Sequence, residues 1–522
     1  LEEAAAAAAL RAPGDGEAAA QPATLLSLTD AILAAHVLRR CPIRDVCAMA
    51  GVCRRLRRTV LQSSGMWEAL FERDFGTHAA AGVRKALSQR FTWRHAARQM
   101  IDLSGLHWNK LHARVAPTIR PRCNFALCAV GEKLYTFGGE GEGMTAQGDV
   151  CMVDLAATAP QWQHVETVGE SPPPRWGHTL THVEGDSGST LVVFGGCNPE
   201  GALDDLWVLE IDGEPMPRWR RVCAARAKAR ARTWHSSCVV EGSRLAVYGG
   251  ATMDGTLLSD LAVIDVLAER PCWRVIEAES EGKPSARLGQ SLVSIGGARL
   301  HMFGGLASGS RPGESSHSDE TYVINVDDDV PRWERVGTAG PSSSNDSVGR
   351  SDAAQVKPLG DREHRPTPRY DHACLGLPGG RVLIFGGLGQ LGLQSPMQIF
   401  AITPNSAAPH WRRLCPRGTP PENAWGHSTH LTRGLNVVMI GGGASDGSDW
   451  DLGTIHELRL VCAEPEARSD AATRVRPAVR KSPKQWRALH AEVPVIRSDG
   501  DGSGGNESGG ETSSGAGGSG DD

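Results

Sequence analysis

The chain is predicted to be mainly β: a six-bladed β-propeller preceded by a small α-helical domain and a helical connector. Three observations predict it. An apolar run ending in paired glycines recurs at Gly138/Gly139, Gly195/Gly196, Gly249/Gly250, Gly304/Gly305, Gly386/Gly387 and Gly441/Gly442, at intervals of 57, 54, 55, 82 and 55 residues. A tryptophan strand follows in most cycles, at Trp162, Trp219, Trp273, Trp333 and Trp411. The composition, 62 Gly, 31 Pro and 14 Trp in 522 residues, suits a turn-rich β protein better than a helical enzyme.

Each element of the cycle has a physical reason. An unalternated run such as L-V-V-F before Gly195 suits a strand buried on both faces between neighbouring sheets. Paired glycines let the backbone turn with positive φ where strands crowd a central channel. A large tryptophan on the outer strand fills the wedge that opens as the sheets fan outward. Before the glycine pairs stand turns of the form R-x-x-H: R-W-G-H at Arg175, R-T-W-H at Arg232, R-L-G-Q at Arg287, R-Y-D-H at Arg369 and A-W-G-H ending at His427. The whole cycle resembles the kelch motif, whose period is near 50 residues.

The ends of the array predict how it closes. The sixth cycle has its glycine pair and the strand I-H-E-L-R-L from Ile455 but no tryptophan after it, while W-N-K-L at Trp108 stands alone before the first cycle. The Trp108 strand is therefore expected to complete the sixth blade, which removes the open sheet edges.

Upstream, Thr29 is expected to cap a helix, with Asp30 in its first turn and Ile32, Leu33, Val37 and Leu38 on its apolar face. Pro42 interrupts it, and Val46, Met49, Cys53, Leu56 and Val60 then form the stripe of an amphipathic helix. So small a helical core is expected to expose apolar surface to a partner. With C-R-R-L at Cys53 and M-W-E-A-L at Met66, the segment resembles an F-box, although Thr29 and Ala31 stand where Pro and Glu are usual. Leu87, Phe91, Trp93, Ala97, Met100 and Ile101 predict one or two helices between this segment and the propeller, a stiff connector holding the two apart. Expected boundaries are an Ala-rich disordered tail at 1–24, the F-box at 25–70, the connector at 71–106, the propeller at 107–462 with an insertion at 337–366, and a disordered tail at 463–522.

The order of these parts, with F-T-W-R-H-A-A-R at Phe91, R-C-N-F-A-L-C-A-V at Arg122, T-W-H-S-S-C at Thr233 and A-W-G-H-S-T at Ala424, resembles the plant Adagio/Zeitlupe family of LOV/F-box/kelch proteins. The resemblance implies a substrate receptor of a Skp-cullin-F-box ubiquitin ligase, with protein targets such as clock or flowering-time regulators held on the propeller. Adaptor contact is then expected at Leu28, Ile32, Leu33, Val37, Leu38, Pro42, Ile43 and Val46, and target contact at loops on one propeller face. The non-degradative alternative is a kelch scaffold. No cofactor is expected: about 25 residues precede the F-box segment and no flavin-cysteine motif occurs in the sequence. A missing N-terminal piece would be the place for light sensing.

Charge and cysteine usage set limits. The formal charge is −5, which points away from nucleic acid, and no apolar run reaches the length of a membrane span. Thirteen cysteines without C-x-x-C spacing predict free thiols in the cytoplasm and nucleus. His178, His235, His372 and His427, one per blade, are expected to be structural rather than ligands. With four tyrosines, Tyr135, Tyr248, Tyr322 and Tyr370, a copper radical oxidase is not expected. R-A-K-A-R-A-R at Arg226 reads as a solvated loop and R-V-R-P-A-V-R-K-S-P-K at Arg474 as a disordered basic tail.

Overall fold

The computed structural model describes residues 29–463, apart from 89, 142–144, 186–187, 226–228, 279–281, 310–314, 337–364, 391, 393–396, 407, 423–425, 433–434 and 442–451. Six antiparallel sheets with inner strands Ala126–Val130, Thr179–Gly185, Ser236–Val239, Ser291–Ser294, Ala373–Leu377 and Ser428–Thr432 form blades 1 to 6. Blade 2 shows the build. Gly188–Phe194 pairs with Thr179–Gly185 on one side and with Leu206–Glu210 on the other, and Arg218–Val222 closes the outer edge. Leu191 to Phe194 are at most 1% exposed, as an unalternated strand between two sheets requires.

The ring closes as the tryptophan spacing predicts. His107–His112 lies antiparallel on Thr454–Arg459 with Trp108 opposite Leu458, so the first strand of the propeller is the outer strand of its last blade. The outer tryptophans fill the wedges between blades. Trp219 packs on Phe137 of the preceding blade, Trp273 on Phe194, Trp333 on Tyr248 and Trp411 on Phe303, with ring centroids 5.1–5.3 Å apart. Burying an indole this fully contributes about 3 kcal/mol or more relative to truncation.

The N-terminal region is helical throughout. Thr29 caps α1 (Asp30–Ile32), its Oγ1 accepting from the Ile32 amide at 3.3 Å, and the chain continues through a π turn at Leu33–Val37 and a 3₁₀ turn at Leu38–Arg40. The stripe from Val46 to Val60, expected as one helix, is two: α2 (Ile43–Met49) and α3 (Arg54–Gln62). The break comes at Gly51 and at Cys53, whose backbone is extended and whose Sγ caps α3. Then follow α4 (Ser64–Phe75), α5 (Thr77–Ala86) and α6 (Trp93–Asp102).

These helices are not a spaced-off module. Their apolar residues share one core with the wedge between blades 5 and 6, where Phe71, Trp93 and Met100 join Trp108, Phe385, Met439 and Leu460. Polar contacts fix the seam. The last carbonyls of α6, orphaned by helix geometry, accept from propeller arginines: Met100 and Ile101 from Arg381 Nη1, and Asp102 from Arg412 Nη2 at 2.7 Å. The Gln99 amide exchanges two hydrogen bonds with the Cys462 backbone. The stiff connector therefore clamps the helical region onto the propeller instead of holding it at a distance.

Candidate protein-interaction faces

Antiparallel connectivity gives the propeller two unlike ends. At one end lie the turns between inner and second strands and between third and outer strands. Arg381, Leu435, Leu460 and Cys462 belong to these turns, so the helical region occupies this end at blades 5 and 6. At the other end the glycine pairs open into the longer loops to the third strands, and the R-x-x-H turns bring the chain back to the axis.

The R-x-x-H arginines build that second end. Arg122, Arg175, Arg232, Arg287 and Arg369 are at most 4% exposed. Each Nε donates to the carbonyl two residues earlier and each Nη1 to the first glycine of its pair, at 2.6–3.2 Å. In four blades the guanidinium also meets an acid standing just before the third strand: Asp149 at 2.6 Å, Asp205 at 2.6 Å, Asp260 at 2.6 Å and Glu320 at 2.9 Å. Burial alone would raise the Asp149, Asp205 and Glu320 carboxyls, but bonds and charge from their arginines hold them below the ordinary range. These acids escaped the sequence reading; their signal is an Asp or Glu 10 to 16 residues after the first glycine of a pair. Blade 5 differs, because Gln398 takes the acid's place and burial lowers Arg369 to about 10. In blade 6 the arginine position itself is Ala424.

The third residue of each turn faces the axis. Asn124, Gly177, Trp234, Gly289, Asp371 and Gly426 all have φ between 50° and 65°, and each of the last five donates its amide to the carbonyl of the one before at 2.9–3.1 Å. The result is a belt of backbone hydrogen bonds running from blade to blade around the channel mouth. It presents side chains at three positions only. Trp234 is 37% exposed, and the Asp371 carboxyl is raised to about 7 by burial. Nearby loops add Met253, half exposed, and the paired rings of His317 and Tyr370, 5.2 Å apart.

The histidines of these turns are packed inside the fold. His178, His235 and His372 stand edge-on to the aromatic ring before a glycine pair, at 5.2–5.4 Å, and burial lowers all three, His178 to about 3. His427 is buried too. The close approach explains the glycines: a Cβ on Gly196 would lie 2.7 Å from the His178 Cβ. Among the described residues, Asp149, Cys151 and His164 are the grouping with metal-ligand atoms within reach of one another. Asp149 is already bidentate on Arg122, and burial pushes the Cys151 thiol up to about 12, so the donor set does not suit a cation.

The residues singled out for adaptor contact divide. Leu33, Val37, Leu38, Ile43 and Val46 are at most 4% exposed and belong to the internal core, so their side chains are not offered to a partner. Ile32, 39% exposed, and Pro42 are at the surface, and Leu28 lies outside the described residues. Two further apolar side chains of the same region, Val52 and Leu61, are 72% and 45% exposed. All thirteen cysteines are free thiols. Among the described residues no helix is long and apolar enough to cross a membrane. The basic run at 474 and most of the insertion at 337–366 fall outside the described residues.

Comparison with known proteins completes the site. A family model described as the KLHDC2/KLHL20/DRC7 Kelch-repeats domain matches residues 95–305. The chain is 37% identical over 451 residues to Adagio-like protein 1 of Oryza sativa subsp. japonica, covering 86% of this chain and 67% of that protein. It is 38% identical over 439 residues to Adagio protein 3 of Arabidopsis thaliana, covering 84% and 65% respectively. An F-box/kelch-repeat protein of Arabidopsis thaliana is 23% identical over 368 residues, 67% of this chain and 70% of its own length. The chain thus spans about two thirds of the length of the Adagio relatives it matches.

Proposed function

The chain belongs to the Adagio family, and from that premise we propose that it is the substrate-recognition subunit of a Skp-cullin-F-box ubiquitin ligase in the cytoplasm and nucleus. In this reading the helical region docks a Skp-type adaptor through Ile32, Pro42, Val52 and Leu61. A target protein, such as a clock or flowering-time regulator, sits on the channel mouth around Trp234 and Asp371. The observation that carries it is the division of labour between the two propeller ends, since the helices sit at one, on blades 5 and 6, and leave the belt and its loops open at the other. The chain supplies no covalent step. It acts by proximity, raising the local concentration of target lysines near a ubiquitin-charged enzyme held through the adaptor and cullin.

A kelch scaffold without degradation is the second reading, and the burial of five of the eight expected adaptor residues favours it. Co-purification of the full chain with a Skp-type adaptor separates the two. The wild type is expected to form a complex that Ile32→Asp/Leu61→Asp loses while circular dichroism stays unchanged. No complex with wild-type protein would leave the scaffold.

A further inference from the structure

The seam between the helices and blade 5 contains a cleft of about 680 Å³, within the range of small-molecule sites. One wall comes from the helices and carries Arg94, Arg98 and Asp102 of α6; the other comes from blade 5 and carries Arg381 and Arg412. Four guanidiniums thus face one carboxylate, in a chain whose formal charge is −5. Two of the four are committed to the α6 carbonyls, and Arg98 makes an exposed 3.3 Å pair with Asp102. Arg94 has no ion-pair partner among the described residues. Arg94 and Arg98, one helical turn apart, both line the cleft, where burial and the Asp102 charge raise the Cys47 thiol despite the two guanidiniums. Apolar side chains, Ile43 and Ile101 among them, complete the lining.

We propose that this cleft binds a small organic molecule carrying more than one phosphate charge. Guanidinium forks match phosphate oxygens bidentately, and Arg94 and Arg98 offer two of them, with the charges of Arg381 and Arg412 on the opposite wall and an apolar floor between, an arrangement that favours a multiply charged ligand with an organic body over a simple anion. Because its walls belong to different parts of the chain, the occupant ties the helical region to blade 5. The site is separate from the channel mouth and from the exposed apolar residues of the helices, so the inference does not rest on the ligase reading.

The test uses the full chain with tripolyphosphate, ATP and AMP as probes, by titration calorimetry and thermal unfolding in 150 mM salt. Expected are saturable binding of ATP, weaker binding of AMP and tripolyphosphate, a raised Tm, and slowed amide exchange in α6. Arg94→Ala/Arg98→Ala, at exposed positions, is expected to weaken ATP at least tenfold with the ligand-free Tm kept. An equal Tm rise with sulfate at matched ionic strength, equal binding by the double variant, or no saturable binding would each overturn the assignment. So would saturable binding of a Glu-rich peptide without any binding of ATP, because the cleft would then serve a protein segment.

Discussion

Blades 1 to 4 and blades 5 and 6 are built to different rules. In the first four, a buried arginine is closed by its own acid and the blade satisfies its charges internally. Blade 5 keeps the arginine without the acid, and the sequence of blade 6 has no arginine at the position. Those two blades are also the ones that carry the helices, with Arg381 and Arg412 spent on α6 and one apolar core running across the seam. A repeat that depends on its own clamp is interchangeable with its neighbours, whereas blades 5 and 6 take part of their order from a region outside the ring. The difference teaches that departures from the repeat mark the place where the propeller is joined to something else.

The comparison can be broken most forcefully in blade 2. Asp205→Ala strands the fully buried Arg175 cation, and removing one partner of a buried pair costs about 3 to 5 kcal/mol. Gln398→Ala, at the matching position of blade 5, is expected to cost under about 1 kcal/mol. Urea unfolding of the two variants checks this, and equal losses would show that the clamps are not the distinction. The seam is tested by Arg381→Ala/Arg412→Ala. Exposing the α6 carbonyls is expected to lower the local opening free energy by about 1 to 3 kcal/mol. Hydrogen exchange should speed up in α6 and stay unchanged in blade 2.

Gln398→Glu sharpens the comparison by giving blade 5 the missing acid. Arg369, lowered to about 10 by burial, gains a partner, and the variant is expected to be more stable by about 1.5 kcal/mol, the low end for a hydrogen bond to a charged group. The smallest effect is expected from Asp371→Asn, because the residue is only half-buried and water at the channel mouth screens much of its charge. The folded value of about 7 lies above the ordinary carboxylate value, so the folded state binds more protons than the unfolded one between about pH 4 and 7. The group's contribution is intact below that window and is lost as pH rises through it. Replacing the acid should raise Tm at pH 8, do so less at pH 5, and leave the positive-φ belt in place because Asn tolerates that backbone.

Much of the ring was legible because repetition multiplies weak signals. The glycine pairs, the wedge-filling tryptophans and the orphan Trp108 each recur or complete a count, and the strand pairing of Trp108 with Leu458 follows from them. The acids of the clamps recur as well, but at uneven distances from the glycines, which hides them. The helical region has no repeat to average over. An apolar stripe shows that Leu33 or Val46 is covered without showing whether a partner or the same chain covers it, and in the fold the same chain does. The docking by Arg381, Arg412 and Gln99 joins residues some 280 to 360 positions apart through single side chains, and such contacts leave no pattern in sequence.

The closing strand also orders the events of synthesis. His107 pairs with Arg459, so an outer strand made early must wait while about 350 further residues leave the ribosome, roughly 20 to 70 s at ordinary elongation rates. Through most of that interval α6 has no blade 5 or 6 to rest on, and until its end the Trp108 strand has no partner. A chain cut short before blade 6 would keep the blade 5 arginines that meet α6 but lose the strand that Trp108 lies on and the blade 6 part of the shared core, so closing the last blade also completes the seat of the helices.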